Sequence, residues 1–347
     1  MTLSETGGGD PRHRGTLRES GLTPRIEAQL AAGKNATAQW NAPPEDPEVL
    51  REVNRLCRAH GARFEVRFYG WYGRKGLFDA ALLEHLPEVR RLSVDCLRGI
   101  ENVEALGRLP HLDNLHFGVY EIADGAFLSA LPLEQLSRIS LVENRKRNFD
   151  LAPLARCQSA EQVFIQGHTR NISVLSGLPH VHKLGLSGMP RKQSLDFVNA
   201  MSSLRNLMVI LGSRESIDEL AHPTLEKLDI IWVRQLATLG DLARFPALRE
   251  FIVEDQLRLK RIDLTGPPIE RLRITNCKSL VELVGIELLD RLEWLHIAQT
   301  RLDLEPLRDR AWPGTTRAVG LFSGSIKWND AARDALAARG IAQFPQG

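Results

Sequence analysis

A short pattern of hydrophobic positions, apolar-x-x-apolar-x-apolar, recurs along most of the chain. Leu204-Arg-Asn-Leu207-Met-Val209 and Leu225-Glu-Lys-Leu228-Asp-Ile230 are two clear copies. The middle apolar residue of each copy follows the previous one by 21 to 24 residues. A near-constant period of this length predicts a stack of similar units, each burying its apolar edge against its neighbours. The middle residues are Leu92, Leu115, Ile139, Val163, Leu184, Leu207, Leu228, Phe251, Leu272, Leu295 and Val319.

The same pattern predicts which side chains enter the core. Successive side chains of a strand point to opposite faces, so the apolar positions face inward and the x positions face outward. A second apolar block precedes most copies, as in Leu239-Gly-Asp-Leu242. These blocks are short and often next to proline, which favours single helical or 3₁₀ turns over long helices.

The pattern and its period resemble the strand segment of leucine-rich repeats, and the short turns resemble the bacterial internalin-like kind. The resemblance covers about residues 86–324. It implies an α/β solenoid of about eleven repeats, a horseshoe with one long parallel sheet on its concave face. It also implies Asn or Cys three positions after the last apolar strand residue. Asn144 and Cys277 fit and Thr300 is a plausible substitute, whereas other positions, His168 and Gln256 among them, depart from the pattern.

Both ends of the chain differ from the repeats and resemble caps that would cover a terminal core. Asp46 followed by proline predicts a helix start, and Phe64, Val66 and Phe68 alternate like an edge strand. Asn329 predicts the N-cap of a last helix that ends at Gly340. The predicted organisation is 1–45, mostly disordered apart from a possible short helix after Thr23-Pro24; 46–85, N-terminal cap; 86–324, leucine-rich repeats; and 325–347, C-terminal capping helix.

Outward positions of the middle repeats carry an unusual number of large apolar side chains. Exposed apolar patches usually mark interaction sites, and basic residues occupy the neighbouring outward column. We therefore predict a non-catalytic scaffold that binds a protein partner through its concave face, with an apolar centre and a basic margin. The predicted contact residues are Phe164, Met208, Ile210, Ile231, Trp232 and Ile252 at the centre, and Arg138, Lys183, Lys227, Arg271, Arg273 and Trp294 around it.

Several readings of this surface remain open at the level of sequence. The N-terminal segment could fold back over the patch, or two copies could pair through the concave or edge surface as a homodimer. The biological role could be that of a regulatory or immunity-type subunit of an enzyme or toxin, or of a host-directed bacterial effector.

Composition narrows the class of partner and the compartment. A net charge of +2 is far from the strongly basic balance of nucleic-acid binders. Met1–Asp10 lacks the apolar run of a signal peptide, nothing indicates a surface anchor, and no stretch approaches the length of a membrane-spanning helix. The four cysteines are far apart and outside any CxxC spacing. We therefore expect a cytoplasmic protein with neither a nucleic-acid nor a membrane partner.

The sequence offers little catalytic chemistry. It contains no P-loop, dinucleotide-binding, HExxH or GxSxG motif. His180 and His182 could both reach a metal, but no third ligand is evident. His116 and His296 occupy outward strand positions and could make binding sensitive to pH. We expect no enzymatic activity, no cofactor and no metal.

Overall fold

The computed structural model describes residues 22–41, 44, 47–70, 77–122, 125–142 and 148–343. The chain divides into two compact units, Met1–Leu136 and Ser137–Gly347. All eleven copies of the hydrophobic pattern form β-strands, two in the first unit and nine in the second. The pattern therefore predicts the strands correctly.

The first unit is a parallel sheet with helices at its N-terminal end. Strands β1, β2, β4 and β5 lie side by side in this order, and β3 pairs with the far end of β4. The elements are α1 Leu22–Ala31, β1 Ala36–Trp40, α2 Pro47–His60, β2 Phe64–Tyr69, β3 Leu77–Asp79, β4 Arg91–Glu101 and β5 Asn114–Glu121.

Helix α1 agrees with the short helix expected after Thr23-Pro24, whereas strand β1 is ordered structure that the sequence did not predict within residues 1–45. One side of α1 buries Ile26 and Leu30, and alternate residues of β1, including Trp40, are buried. The indole of Trp40 stacks on Phe68 with ring centroids 5.3 Å apart. Because β1 pairs with β2, β2 is an interior strand and the prediction of an edge strand was wrong. Asp46, the expected N-cap of α2, lies outside the described residues.

The second unit continues the same architecture. Its main sheet is parallel in the order β6, β7, β8, β9, β10, β11, β13, β15, β16, and β12 pairs with β14 in a separate small sheet. The elements are β6 Arg138–Leu141, β7 Gln162–Gln166, β8 Lys183–Ser187, β9 Asn206–Ile210, β10 Lys227–Ile231, β11 Glu250–Glu254, β12 Arg261–Asp263, β13 Arg271–Thr275, β14 Glu282–Val284, β15 Trp294–Ala298, α3 Glu305–Asp309, β16 Ala318–Phe322 and α4 Ile326–Ala337.

Register across this sheet places equivalent residues of successive copies next to each other. Leu207 of β9 pairs with Leu228 of β10, which pairs with Phe251 of β11. All three are essentially inaccessible to solvent. Stacking therefore turns residues some 20 positions apart into one continuous apolar core, as the period predicts.

Short 3₁₀ turns connect the strands, as the proline-containing apolar blocks predict. Each turn inserts at least one apolar side chain into the core, for example Leu154, Leu175 or Leu242. The 3₁₀ turns of the second unit are Ala152–Arg156, Ile172–Gly177, Asp196–Ala200, Leu242–Arg244 and Ile286–Leu288.

Two of the expected asparagine positions carry other polar side chains that hydrogen-bond to the backbone of neighbouring turns. His168 is fully buried, accepts from the backbone N–H of Phe149 at Nδ1 (3.1 Å) and lies 3.3 Å from the carbonyl oxygen of Val142 at Nε2. Gln256 is also buried, and its Nε2 donates to the carbonyl oxygen of Ile230 at 3.2 Å. His168 and Gln256 depart from the pattern in residue type, yet both hydrogen-bond to the backbone of a neighbouring repeat. Asn144 lies outside the described residues.

The C-terminal helix covers the end of the second unit. Ser325 caps it by accepting from the N–H of Trp328, whereas the side chain of Asn329 accepts from the N–H of Ser323. Asn329 is therefore not the N-cap, because the helix begins four residues earlier than expected. After Gly340, whose φ is +76°, Ala342 pairs with Ala318 of the last strand.

Candidate partner-binding surface

The second unit aligns its outward side chains in rows that cross the sheet. One row runs from Phe164 through Gly185, Met208 and Asp229 to Ile252. The next row contains Gln166, Ser187, Ile210, Ile231 and Glu254. We call the surface formed by these and the flanking outward residues of β6 to β15 the strand face.

Four apolar side chains meet on the strand face. Met208 lies across from Gly185 and Asp229, Ile210 pairs with Ile231, and Ile252 lies on the far side of Asp229. All four are partly exposed, whereas the residues between them in each strand are buried. The structure thus places Met208, Ile210, Ile231 and Ile252 outward and together, as the alternation predicts. We call these four residues the apolar patch.

Phe164 extends the apolar patch through a glycine. A Cβ atom built on Gly185 would lie only 2.4 Å from Cδ2 of Phe164, so the phenyl ring occupies the space above strand β8. Gly185 is buried for this reason. The ring fills the gap in the row between β7 and Met208, and any larger residue at position 185 would displace it.

Trp232 lies immediately beyond the patch, in a conformation that bulky residues rarely adopt. It is 49% exposed and its φ is +48°. Leu211, at the equivalent position one strand earlier, has a φ of +61°. A left-handed backbone at such residues costs on the order of 1–3 kcal/mol. The residues at this position after the other strands from β7 to β15 are Gly167, Gly188, Asp255, Asn276 and Gln299, also with positive φ.

The residue in the left-handed conformation forms a hydrogen bond to the next strand of the sheet. Its backbone N–H donates to the carbonyl of the next strand's last residue, as from Leu211 to Ile231 and from Trp232 to Glu254, both at 2.9 Å. Glycine or asparagine would satisfy this turn with less strain. The repeated turn therefore explains the backbone, but it does not explain why leucine and an exposed tryptophan occupy it beside the apolar patch.

The basic margin is partly neutralised by carboxylates. Lys227 Nζ lies 2.5 Å from Glu250 Oε1, and Arg273 Nε lies 2.9 Å from Glu254 Oε1. Register places Glu250 directly across from Lys227, and Glu254 diagonally across from Arg273, so each of these predicted margin cations has an acidic neighbour on β11.

The remaining margin residues lie farther out on the strand face. Arg138, Lys183 and Arg271 are exposed and form no ion pair with any described residue. Trp294 is half-buried and pairs in register with Arg271. These four residues are the first residues of their strands, so they lie in one row along a single margin of the apolar patch.

Asp229 lies in the middle of the patch, and sequence reasoning did not assign it a role. It is outward-facing yet only 7% exposed, between Met208 and Ile252. Its carboxylate accepts no hydrogen bond from any described residue, although Lys227 Nζ is 3.8 Å from Oδ1. Burial raises its pKa to about 6, with the carboxylates of Glu250 and Glu254 adding to the effect and the lysines opposing it. The sequence did offer one signal for Asp229, because it occupies an outward strand position between the apolar Met208 and Ile252 of the neighbouring copies.

The first unit carries a polar network on the equivalent strand positions. Arg67 forms two hydrogen bonds with Asp95, at 2.7 and 2.6 Å, and Glu65 accepts from the hydroxyl of Ser93 at 2.5 Å. Arg91 lies 3.3 Å from Glu65. These charged groups satisfy one another and stabilise the sheet, in contrast to the carboxylate of Asp229.

Burial favours the neutral forms of two histidines and two cysteines. Burial lowers the pKa of His116 and of His296. Burial also raises the pKa of the Cys57 thiol to about 12 and that of Cys277 to about 11. Neither thiol is a ready nucleophile.

Across the described ranges, no cluster of three or more metal-ligating side chains occurs. His180 and His182 therefore have no third ligand among the described residues. No helix in that part of the chain has the length and apolarity needed to cross a bilayer.

Comparison with known proteins gives structural neighbours without sequence relatives. No family model matches the chain, and no curated protein sequence matches it. An internalin (inlF) from Listeria monocytogenes superposes with a TM-score of 0.50 at 16% identity, covering 78% of this chain and 76% of that one. A leucine-rich-repeat protein from Leptospira interrogans superposes at 0.46 with 12% identity over 90% of each chain. TLR13, in its complex with ssRNA13, superposes at 0.48 with 14% identity over 83% of this chain and 42% of that one.

Proposed function

We propose that this chain, which has the leucine-rich-repeat fold, is a non-catalytic scaffold that holds a partner protein against the strand face of its second unit. The fold is shown by the likeness to the internalin together with the parallel strands and short turns. The observation that carries the proposal is the apolar patch with the strained, exposed Trp232 beside it.

The patch is poorly suited to contact with water alone. Met208, Ile210, Ile231 and Ile252 adjoin one another on a regular sheet, where solvent-exposed positions are ordinarily polar. Trp232 keeps a costly backbone that a smaller residue would relieve, and such strain tends to persist at functional sites. Burying these side chains against a partner would recover about 25 cal/mol for each Å² of apolar surface removed from water.

The size of the patch indicates that the margin also takes part. Five strands, β7 to β11, at a spacing of about 4.8 Å give a width of roughly 20 Å. A specific protein interface buries about 800 Å² on each partner, more than such a strip provides. Contacts therefore extend to Arg138, Lys183, Arg271 and Trp294, in the row of strand starts along one margin of the patch.

A protein suits this surface better than a nucleic acid. Asp229, Glu250 and Glu254 lie among the central residues and would repel phosphates, and Lys227 and Arg273 are bound to the two glutamates. The proposal places the complex in the cytoplasm, because buried cysteines that are well separated in the chain fit a reducing compartment.

The direct test is capture of a partner from extracts of the source cells. We expect Met208→Asp combined with Ile231→Asp to lose a specific partner, since two charges would be introduced into the apolar contact. A matched control is Val281→Asp with Leu288→Asp, at residues that are 56% and 58% exposed outside the strand face. The control should keep the partner. Equal recovery by both double variants would contradict the proposal.

A second variant separates loss of binding from loss of folding. Trp232→Asn suits the left-handed backbone better than tryptophan does, so its free energy of unfolding should be at least that of the wild type. Capture should nevertheless weaken, because the exposed indole is removed. A variant that is stable and binds fully would remove Trp232 from the surface.

A further inference from the structure

The strand face contains one carboxylate that the chain leaves unsatisfied. Asp229 is 7% exposed, and no described residue donates a hydrogen bond to it. Met208 and Ile252 flank it across the sheet, and Ile231 follows two residues later on the same face. Burying a carboxylate among apolar side chains costs free energy unless a hydrogen-bond donor or a cation compensates it.

Two of the cations near Asp229, Lys227 and Arg273, are held by other carboxylates. Lys227 Nζ lies 2.5 Å from Glu250 and 3.8 Å from Asp229, so its close contact is with the glutamate. Arg273, one row position beyond Ile252, binds Glu254 at 2.9 Å. Each of these two cations thus has its own carboxylate, and the patch retains an acceptor without a close donor.

We propose that Asp229 binds a single lysine or arginine side chain of the partner protein, inserted between the apolar residues of the patch. This inference rests on the proposed function and specifies the chemistry of the segment that binds there. The partner segment is apolar with one basic residue at its centre.

A long basic side chain would complement both the apolar residues and the carboxylate of the site. Its aliphatic stem would pack on Met208, Ile231 and Ile252, and its charged head would reach the carboxylate. A charge-assisted hydrogen bond of this kind is about twice as strong as a neutral one. A metal ion suits the site less well, since no cluster of three or more ligating side chains occurs in the described part of the chain.

The ionisation of Asp229 makes the interaction sensitive to pH. The charged groups that face it are Lys227 on its own strand, Glu250 and Glu254 on β11, and Lys183 on β8. A bound cation needs the ionised carboxylate, and burial raises its pKa to about 6 in the free protein. Binding should therefore weaken as the pH falls through about 6, and an asparagine at position 229 should remove that dependence.

The test uses the full chain and random linear peptides displayed on phage, selected near neutral pH. We expect the enriched peptides to carry lysine or arginine between apolar residues and to be lost on the Met208→Asp, Ile231→Asp double variant. Their affinity should fall about tenfold or more on Asp229→Asn. The exposed Asp290→Asn is the matched control and should bind as the wild type does.

A second arm measures the coupling between the two charges. Replacing the peptide's basic residue by norleucine should weaken binding to the wild type, with little further loss on Asp229→Asn. Peptides that need Met208 and Ile231 but bind Asp229→Asn fully, or that lack a basic residue, would overturn this inference and leave the proposed function standing. Peptides that bind the double variant equally well, or a failure to enrich any peptide, would contradict both.

Discussion

At the scale of single residues, Asp229 is where the chain gives up stability. Its folded pKa of about 6 exceeds the ordinary value of 3.8, so the folded state holds this proton more tightly than the unfolded chain does. The contribution to stability is therefore fully present below about pH 4 and is lost as the pH rises through about 6. Above that pH the charged side chain destabilises the fold.

Asp229→Asn should consequently raise the free energy of unfolding near pH 7.5, by about 1–3 kcal/mol, since one pKa unit corresponds to about 1.4 kcal/mol. The gain should shrink as the pH falls towards 4, where the wild-type carboxyl is also neutral. Urea unfolding at the two pH values measures the difference.

The exposed Asp290→Asn serves as the control and should leave stability nearly unchanged at both pH values. If Asp229→Asn destabilised the protein at pH 7.5, the carboxylate would have a stabilising partner within the chain, and its assignment to a ligand would fail.

Trp232 also lowers the stability of the fold, through its strained backbone conformation. Its position carries glycine, aspartate, asparagine or glutamine after most other strands, residues that are small or polar. Only Leu211 and Trp232, next to Ile210 and Ile231, depart from this among the described strands from β7 to β15. Residues that break a local rule beside an exposed apolar patch are expected where function outweighs stability.

At the scale of elements, the contacts between successive repeats depend on buried polar side chains as well as on leucines. His168 links two segments, because its Nδ1 accepts from the N–H of Phe149 and its Nε2 faces the carbonyl of Val142. Its ring also stacks on that of Phe149, with centroids 4.2 Å apart. The accepting Nδ1 requires the neutral ring, and burial lowers the pKa of His168 in keeping with this.

His168→Leu should lower the free energy of unfolding by about 1–3 kcal/mol, because it leaves the buried N–H of Phe149 without its acceptor and removes the contact with the part-buried carbonyl of Val142. His168→Asn, the residue typical of this fold, should recover part of the loss. Met189→Leu at the next equivalent position is the control and should cost less than about 1.5 kcal/mol. A leucine at position 168 that left stability unchanged would show that packing alone joins the repeats.

Sequence reasoning predicts the repeated elements well, for a physical reason. The same period and the same buried positions recur in every copy, so a weak match in one copy is supported by the others. All eleven copies from Leu92 to Val319 form strands. Strand β1 was missed because its five residues, Ala36–Trp40, stand outside the repeat and gain stability only by pairing with β2.

The candidate site was predictable only in part. The outward direction of Met208 and Ile231 follows from alternation within a strand. The pairing of Lys227 with Glu250 depends instead on register between strands, which the chain does not display locally. The equivalence of His168 to an asparagine depends on hydrogen-bond geometry, so a comparison of residue types could not find it.

At the scale of the whole molecule, the two units use their strand positions differently. In the first unit, Arg67, Asp95, Glu65 and Ser93 satisfy one another through short hydrogen bonds. In the second, apolar side chains of the patch are partly exposed, and the Asp229 carboxylate accepts no hydrogen bond from a described residue. We therefore assign the proposed binding to the second unit.

The most direct test of this claim is photo-crosslinking from inside the patch. A benzophenone amino acid replaces Met208 in the full chain, and the same amino acid at the exposed Leu288 is the control. After irradiation in extracts of the source cells, mass spectrometry identifies the attached peptides. We expect benzophenone at position 208 to crosslink to a different protein, and benzophenone at position 288 not to do so. Attachment only to this chain's own residues, or equal yields at both positions, would contradict it.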